Sequence, residues 1–155
     1  MPGAPEAGSA SLAKSLPSLT RNLHTLNINL LFPLGTIYAD KGMYAEAIGD
    51  FLKVGDRPHA LGHLGNAYAR AGMVDAAHKT IYQLEEHLRT DGVGRYEIAL
   101  VYAGLNEKDG AFAWLEKSYE AHDKGLTYPK IDPCMDPLRS DARFEGLVRR
   151  VGLTQ

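Results

Sequence analysis

The chain has 155 residues, a single cysteine, 17 Lys and Arg against 19 Asp and Glu, and a formal net charge of −2. That is one domain's worth of chain, able to bury about 68–70% of its unfolded surface without a disulfide or structural metal. The lone Cys134 excludes an internal disulfide framework and a multi-cysteine zinc site, and a pI near 6.3 gives no general attraction to nucleic acid or to an anionic membrane.

Residues 1–11 are Pro, Gly, Ala and Ser with one Glu, too poor in apolar mass to offset the entropy of ordering. No basic-then-apolar leader opens the chain and no apolar run approaches the ~20 residues of a spanning helix, so a cytoplasmic protein is expected. From Leu12 the leucines fall in step: Leu12, Leu16, Leu19, Leu23, Leu26 and Leu30. Their spacing of four and three residues makes one helical stripe. Pro17 interrupts it. The expected division is therefore a loose arm over 1–17 and a single helical domain over 18–155, with Ser18 as the cap. The stripe either folds back over the N-terminal end of the domain or pairs with a second copy through Leu19, Leu23, Leu26 and Leu30.

Three helix-turn-helix units follow, at about 28–54, 57–88 and 92–121. Each carries a tyrosine followed nine residues later by an alanine: Tyr38 and Ala47, Tyr68 and Ala77, Tyr102 and Ala111. Gly42, Gly72 and Asn106 stand four residues after the tyrosines, at turns that demand a left-handed backbone. Phe51, Ile81 and Leu115 stand four residues after the alanines. Asp56, Asp91 and Asp109 are the expected helix caps, with Pro58 in a first turn. Gly35 to Gly65 is 30 residues and Gly65 to Ala99 is 34. The difference is close to one helical turn, which predicts a shortened first back helix or turn. Pro33 lies inside the first front helix and predicts a kink or a late helix start.

Residues 122–139 contain Pro129, Pro133 and Pro137 and lack a helical period. They read as an extended, turn-rich crossing. A last helix, capped by Ser140 or Asp141, turns Phe144, Leu147, Val148 and Val151 inward. Arg143, Arg149 and Arg150 read as its solvated face.

The spaced pattern resembles the tetratricopeptide repeat: Leu34-Gly35 with Tyr38, Leu64-Gly65 with Tyr68, and Ile98-Ala99 with Tyr102, each followed by its alanine and apolar residue. The resemblance covers about residues 28–121. It implies an all-α fold, an α-solenoid of three such units with an N-terminal helical extension and a C-terminal capping helix over 122–155. Small residues at Gly35, Gly65, Ala99, Ala47, Ala77 and Ala111 would sit where paired helices cross. Trp114-Leu115-Glu116-Lys117, Ile131-Asp132-Pro133 and Asp136-Pro137-Leu138-Arg139-Ser140-Asp141 with Phe144 resemble the closing segment of many bacterial proteins of this kind. The usual front-helix tryptophan is replaced by Leu31, Leu61 and Arg95, and the usual proline between repeats is missing.

By that resemblance the chain is a scaffold that binds a peptide or protein segment in a concave groove, with no catalytic role, cofactor, nucleic acid or membrane. Counting from the tyrosines, the groove residues would be Asn29, Phe32, Thr36, Asp40, His59, Asn66, Arg70, Tyr96 and Leu100, with Gly62 and Gly104 between them. Of the carboxylate clamp that some members use, two lysines, two asparagines and one arginine, Asn66 alone stands in place, so that mode is not expected. His59 and His63 are one turn apart but lack a third ligand and the glutamate of a zinc-protease motif, so no metal is expected. Cys134 has only Asp132 and Asp136 beside it in sequence and reads as buried and inert. Trp114 and Tyr119 read as core beneath the crossing.

Overall fold

In the computed structural model of the chain, which describes residues 27–127 and 129–152, regular structure is helical, and no strand occurs among the described residues. Helix α1 covers residues 27–40. It is followed by α2 (Tyr44–Val54), α3 (Pro58–Arg70), α4 (Val74–Asp91), α5 (Arg95–Gly104) and α6 (Lys108–Glu120). Two 3-10 turns, Lys124–Thr127 and Pro133–Leu138, form the crossing, and α7 (Ala142–Arg150) ends the described chain. The arm over 1–17, the cap at Ser18 and the leucines from 12 to 26 lie outside the described residues. Leu30, the last of the stripe, is exposed on α1.

The repeated turns are built by one hydrogen bond written three times. The carbonyl of Tyr38 accepts from the amide of Met43 at 2.9 Å, that of Tyr68 from Met73 at 2.8 Å, and that of Tyr102 from Glu107 at 3.0 Å. Between each pair a residue stands at positive φ: Gly42 at 74°, Gly72 at 79° and Asn106 at 60°. This bond closes a helix end through a left-handed residue and satisfies carbonyls that the helix leaves free. A fourth copy, from Asp123 to the Ser118 carbonyl with His122 at φ 55°, carries no glycine or asparagine to announce it.

The small residues allow the helices to meet. A Cβ on Gly35 would lie 2.7 Å from the Phe51 ring, and one on Gly65 would lie 2.5 Å from Val101 Cγ2. Ala47, Ala77, Ala99 and Ala111 are buried, as are Phe51, Ile81 and Leu115. Helix α3 packs against α2, α4 and α5, and α5 packs against α4 and α6. The first back helix is the short one, 11 residues in α2 against 18 in α4.

Three local expectations are corrected. Helix α1 runs without interruption through Pro33, so there is no late start. The bond that proline removes would have used the carbonyl of Asn29, which is exposed and can be served by water. Asp56, Asp91 and Asp109 do not cap helices: the cap positions are Arg57, Gly94 and Glu107, none with a side-chain cap bond. Tight turns set where each of these helices begins, so the aspartates fall one or more residues away. Asp56 Oδ1 lies 2.9 Å from His87 Nε2, and Asp109 accepts from Arg143 at 2.8 Å. Asp141 does cap α7, accepting from the Arg143 amide at 3.0 Å. The crossing is coiled into 3-10 turns rather than extended, because Cys134, Met135 and Leu138 turn into the core.

Two apolar clusters result. One joins α2, α3, α4 and α5 around Phe51, Leu64, Ile81 and Leu84. The other joins α5, α6, the crossing and α7 around Leu100, Leu115, Met135, Leu138 and Leu147, with Trp114 and Tyr119 packed against it. The α7 arginines are exposed, as a solvated face requires, and two of them also dock the helix. Arg150 donates both terminal nitrogens to Glu116 at 2.6 Å and covers the Tyr119 ring, while Arg143 joins Asp109 and covers Phe112.

Candidate functional site

The crossing lies against α5, and that placement makes the site. Met135 and Leu138 share a core with Tyr96 and Leu100, and the Tyr96 hydroxyl donates to Asp132 Oδ2 at 3.1 Å. Gly125 sits against the Tyr96 ring, where a Cβ would come within 2.6 Å. The face of α3 and α5 that would form a groove wall is therefore partly covered by the chain itself.

What remains is a cavity of about 590 Å³ between α1, α3, α5 and the crossing. Thr36, Asp40, His59 and Tyr96 line it, as expected from the sequence. Glu97, Lys124, Ile131 and Asp132 join them, and none of these four was among the sequence candidates. Glu97 is held by a close helix approach: a Cβ on Gly62 would lie 2.8 Å from the Glu97 Cβ. Asp132 is set by its own turn, its Oδ1 accepting from the Cys134 amide at 2.9 Å.

The other sequence candidates are elsewhere. Asn66 is 2% exposed and donates to the Leu100 carbonyl at 2.7 Å, and Leu100 is fully buried, so neither faces a groove. A Cβ on Gly104 would lie 2.9 Å from Asn66 Nδ2, so this contact needs the glycine. Arg70 is exposed with its guanidinium 5.3 Å from the Tyr44 ring centre. Asn29 is exposed on α1. Phe32 is half-buried, tilted against His59 at 4.3 Å and edge-on to His63 at 5.0 Å, ring centre to ring centre.

Electrostatics in the cavity follow from burial beside carboxylates. Burial raises the Asp40 carboxyl above its ordinary value, opposed by the Arg70 charge. Burial likewise raises Glu97, opposed by its own backbone N–H and reinforced by Asp123. Three acidic groups thus line the cavity with the ammonium of Lys124, while the Arg70 guanidinium acts on Asp40 from outside the lining. His59 is lowered by burial and His63 is lowered by burial to about 4, each opposed by the Asp132 charge, so both imidazoles are neutral at pH 7.

His63, Asp132 and Cys134 meet behind the cavity. Cys134 Sγ lies 3.4 Å from His63 Nδ1, and the three ligand-type atoms all lie within 4.8 Å of one another. The sequence showed His63 without a third partner because the partners are about 70 residues away on the crossing. The only local hint was Asp132-Pro133-Cys134, a short rigid turn between two groups able to bind a proton or a metal. Burial pushes the Cys134 thiol well above its ordinary value, with Asp132 adding to it, which keeps a free thiol protonated. No helix among the described residues is long and apolar enough to cross a membrane. Set against family models, curated proteins and solved structures, the chain matches none of them.

Proposed function

We propose that the chain is a protein-interaction module of the tetratricopeptide kind, taking a short segment of a partner protein into the cavity between α1, α3, α5 and the crossing. The observation that carries this reading is the cavity's charge: Asp40, Glu97 and Asp132 against Lys124, beside the apolar wall of Ile131 and Pro133. A segment with a lysine or arginine next to an apolar residue fits both parts. A cation brought near partly desolvated carboxylates is attracted more strongly than one in open water. The thrice-repeated tyrosine turn and the small-residue crossings support a short stack of helical pairs, closed at its C-terminal end by α7. In this reading the groove is narrowed by the crossing, so it holds a few residues rather than a long extended peptide. The chain acts by binding and carries no chemistry of its own.

A second reading moves self-association onto α1, because Leu19, Leu23 and Leu26 lie outside the described residues. Leu30, Leu34 and Ile37 are all exposed on that helix at a spacing of four and three residues. This is the face on which a second copy would pack.

The test is selection from a random peptide library on the purified chain, followed by affinity measurement on the enriched sequences. Basic residues should be enriched. Asp40→Asn with Glu97→Gln should weaken the best peptide by about tenfold or more, a loss near 1.4 kcal/mol. Enrichment without basic residues, or equal binding by the double variant, would remove the cavity from the reading.

A further inference from the structure

We propose that His63 Nδ1, Asp132 and Cys134 Sγ form a zinc site, with the fourth position open to water in the cavity. The three residues supply one nitrogen, one oxygen and one sulfur, the donor set that zinc accepts and that calcium and magnesium, which prefer oxygen alone, do not. Their ligand-type atoms already lie within 4.8 Å of one another. A tetrahedral zinc with bonds of about 2.3 Å to sulfur and 2.05 Å to nitrogen separates those two atoms by about 3.5 Å. The observed sulfur–nitrogen separation is 3.4 Å. Binding zinc would draw the Asp132 carboxylate toward the other two ligand atoms.

Metal sites orient their ligands through a second layer of bonds, and that layer is present. The Tyr96 hydroxyl donates to Asp132 Oδ2 at 3.1 Å, and the Cys134 amide donates to Oδ1 at 2.9 Å. Each oxygen keeps a lone pair for a metal. His63 and Cys134 are buried, and the cavity lined by His63 and Asp132 gives the ion its way in. Binding releases the Cys134 thiol proton to solvent, leaving thiolate and carboxylate to balance the two positive charges of zinc. Asp132 is neutralised by the metal, while Asp40 and Glu97 still face the cavity. The site ties the crossing to α3, so the metal would set how far that part of the face stays covered. His59, one turn before His63, is outside the ligand set.

The experiment uses the whole chain, stripped with a chelator, dialysed against zinc and assayed for metal by mass spectrometry. Cobalt(II) is titrated in parallel. About one zinc per chain is expected, together with tetrahedral cobalt bands and a thiolate-to-cobalt charge-transfer band. Cys134→Ser should abolish the charge-transfer band and His63→Gln should lose the zinc. His59→Gln should retain it. Tyr96→Phe, which leaves the ring in its core, should weaken zinc by about 10–100-fold. A native chain that takes up no zinc, or a cobalt complex without the thiolate band, overturns the proposal whether or not the variants fold. In that case the sulfur–nitrogen contact is a thiol donating to a neutral imidazole. Zinc loss in His59→Gln at unchanged helicity overturns the three-ligand assignment.

Discussion

Gly65 is where the repeated pattern meets the tightest helix crossing, and its replacement by alanine tests why the small residue is there. An added Cβ would lie 2.5 Å from Val101 Cγ2, 3.1 Å from Val101 Cγ1 and 3.2 Å from Thr80 Cβ. Carbon atoms pack best at about 3.5–4.0 Å, so the first contact is short by an ångström or more. Val101 is fully buried on α5, and a β-branched side chain in a helix has one strongly preferred rotamer, so the methyl has nowhere to swing. Overpacking of this kind costs up to about 3 kcal/mol. Exchanging glycine for alanine inside a helix returns about 1 kcal/mol. The net expectation for Gly65→Ala is a loss of about 2 kcal/mol, or a Tm lower by about 4–8 °C. Urea unfolding followed by circular dichroism measures it. Val101→Ala removes both offending methyls, so the double variant should be more stable than the sum of the singles by about 1–2 kcal/mol. Gly146 in α7 has open space where a Cβ would stand, with nothing within 4 Å, so Gly146→Ala should gain about 0.5–1 kcal/mol. If Gly65→Ala raises the Tm, or if the two single effects merely add, the close-crossing argument is wrong.

Asn66→Ala should cost about 1–3 kcal/mol of stability, because it leaves the buried Leu100 carbonyl without its donor, and should leave peptide affinity unchanged in the fraction that folds. A loss of peptide affinity at full stability would instead make Asn66 a contact residue. His63 makes the metal-free protein acid-sensitive. Its folded value of about 4 lies below the ordinary 6.5, so between those values the unfolded chain binds a proton that the folded chain excludes. The His63 contribution to stability should therefore fall as the pH drops through 6.5 and level off below 4, a loss of about 3 kcal/mol from this group. Chemical unfolding in the presence of a chelator, native against His63→Gln, measures this, and identical pH slopes would contradict it.

The helices and their turns were legible in the sequence because each rests on local chemistry, and the crossings because they demand small residues. A positive φ calls for Gly42, Gly72 or Asn106. A close approach calls for Gly35, Gly65 or an alanine, and apolar spacing selects the buried face. The fourth turn, at His122, was not legible, because its left-handed residue is neither glycine nor asparagine. The helix caps were misread for a related reason: tight turns set where each helix begins, and the aspartates beside them bond elsewhere. Of the residues that counting placed in a groove, Thr36, Asp40, His59 and Tyr96 do line the cavity. Asn66 and Leu100 do not, because packing against the neighbouring helix and the crossing buries them.

What the sequence determined by itself is the repeated helical unit, which depends on contacts within a few turns of chain. What only the tertiary structure decided is the site. Tyr96, Asp132, Cys134 and His63 come together because an apolar turn, Met135 to Leu138, buries itself against α5 and carries its polar neighbours with it. No periodicity connects α3 to that turn; burial of Met135 and Leu138 does.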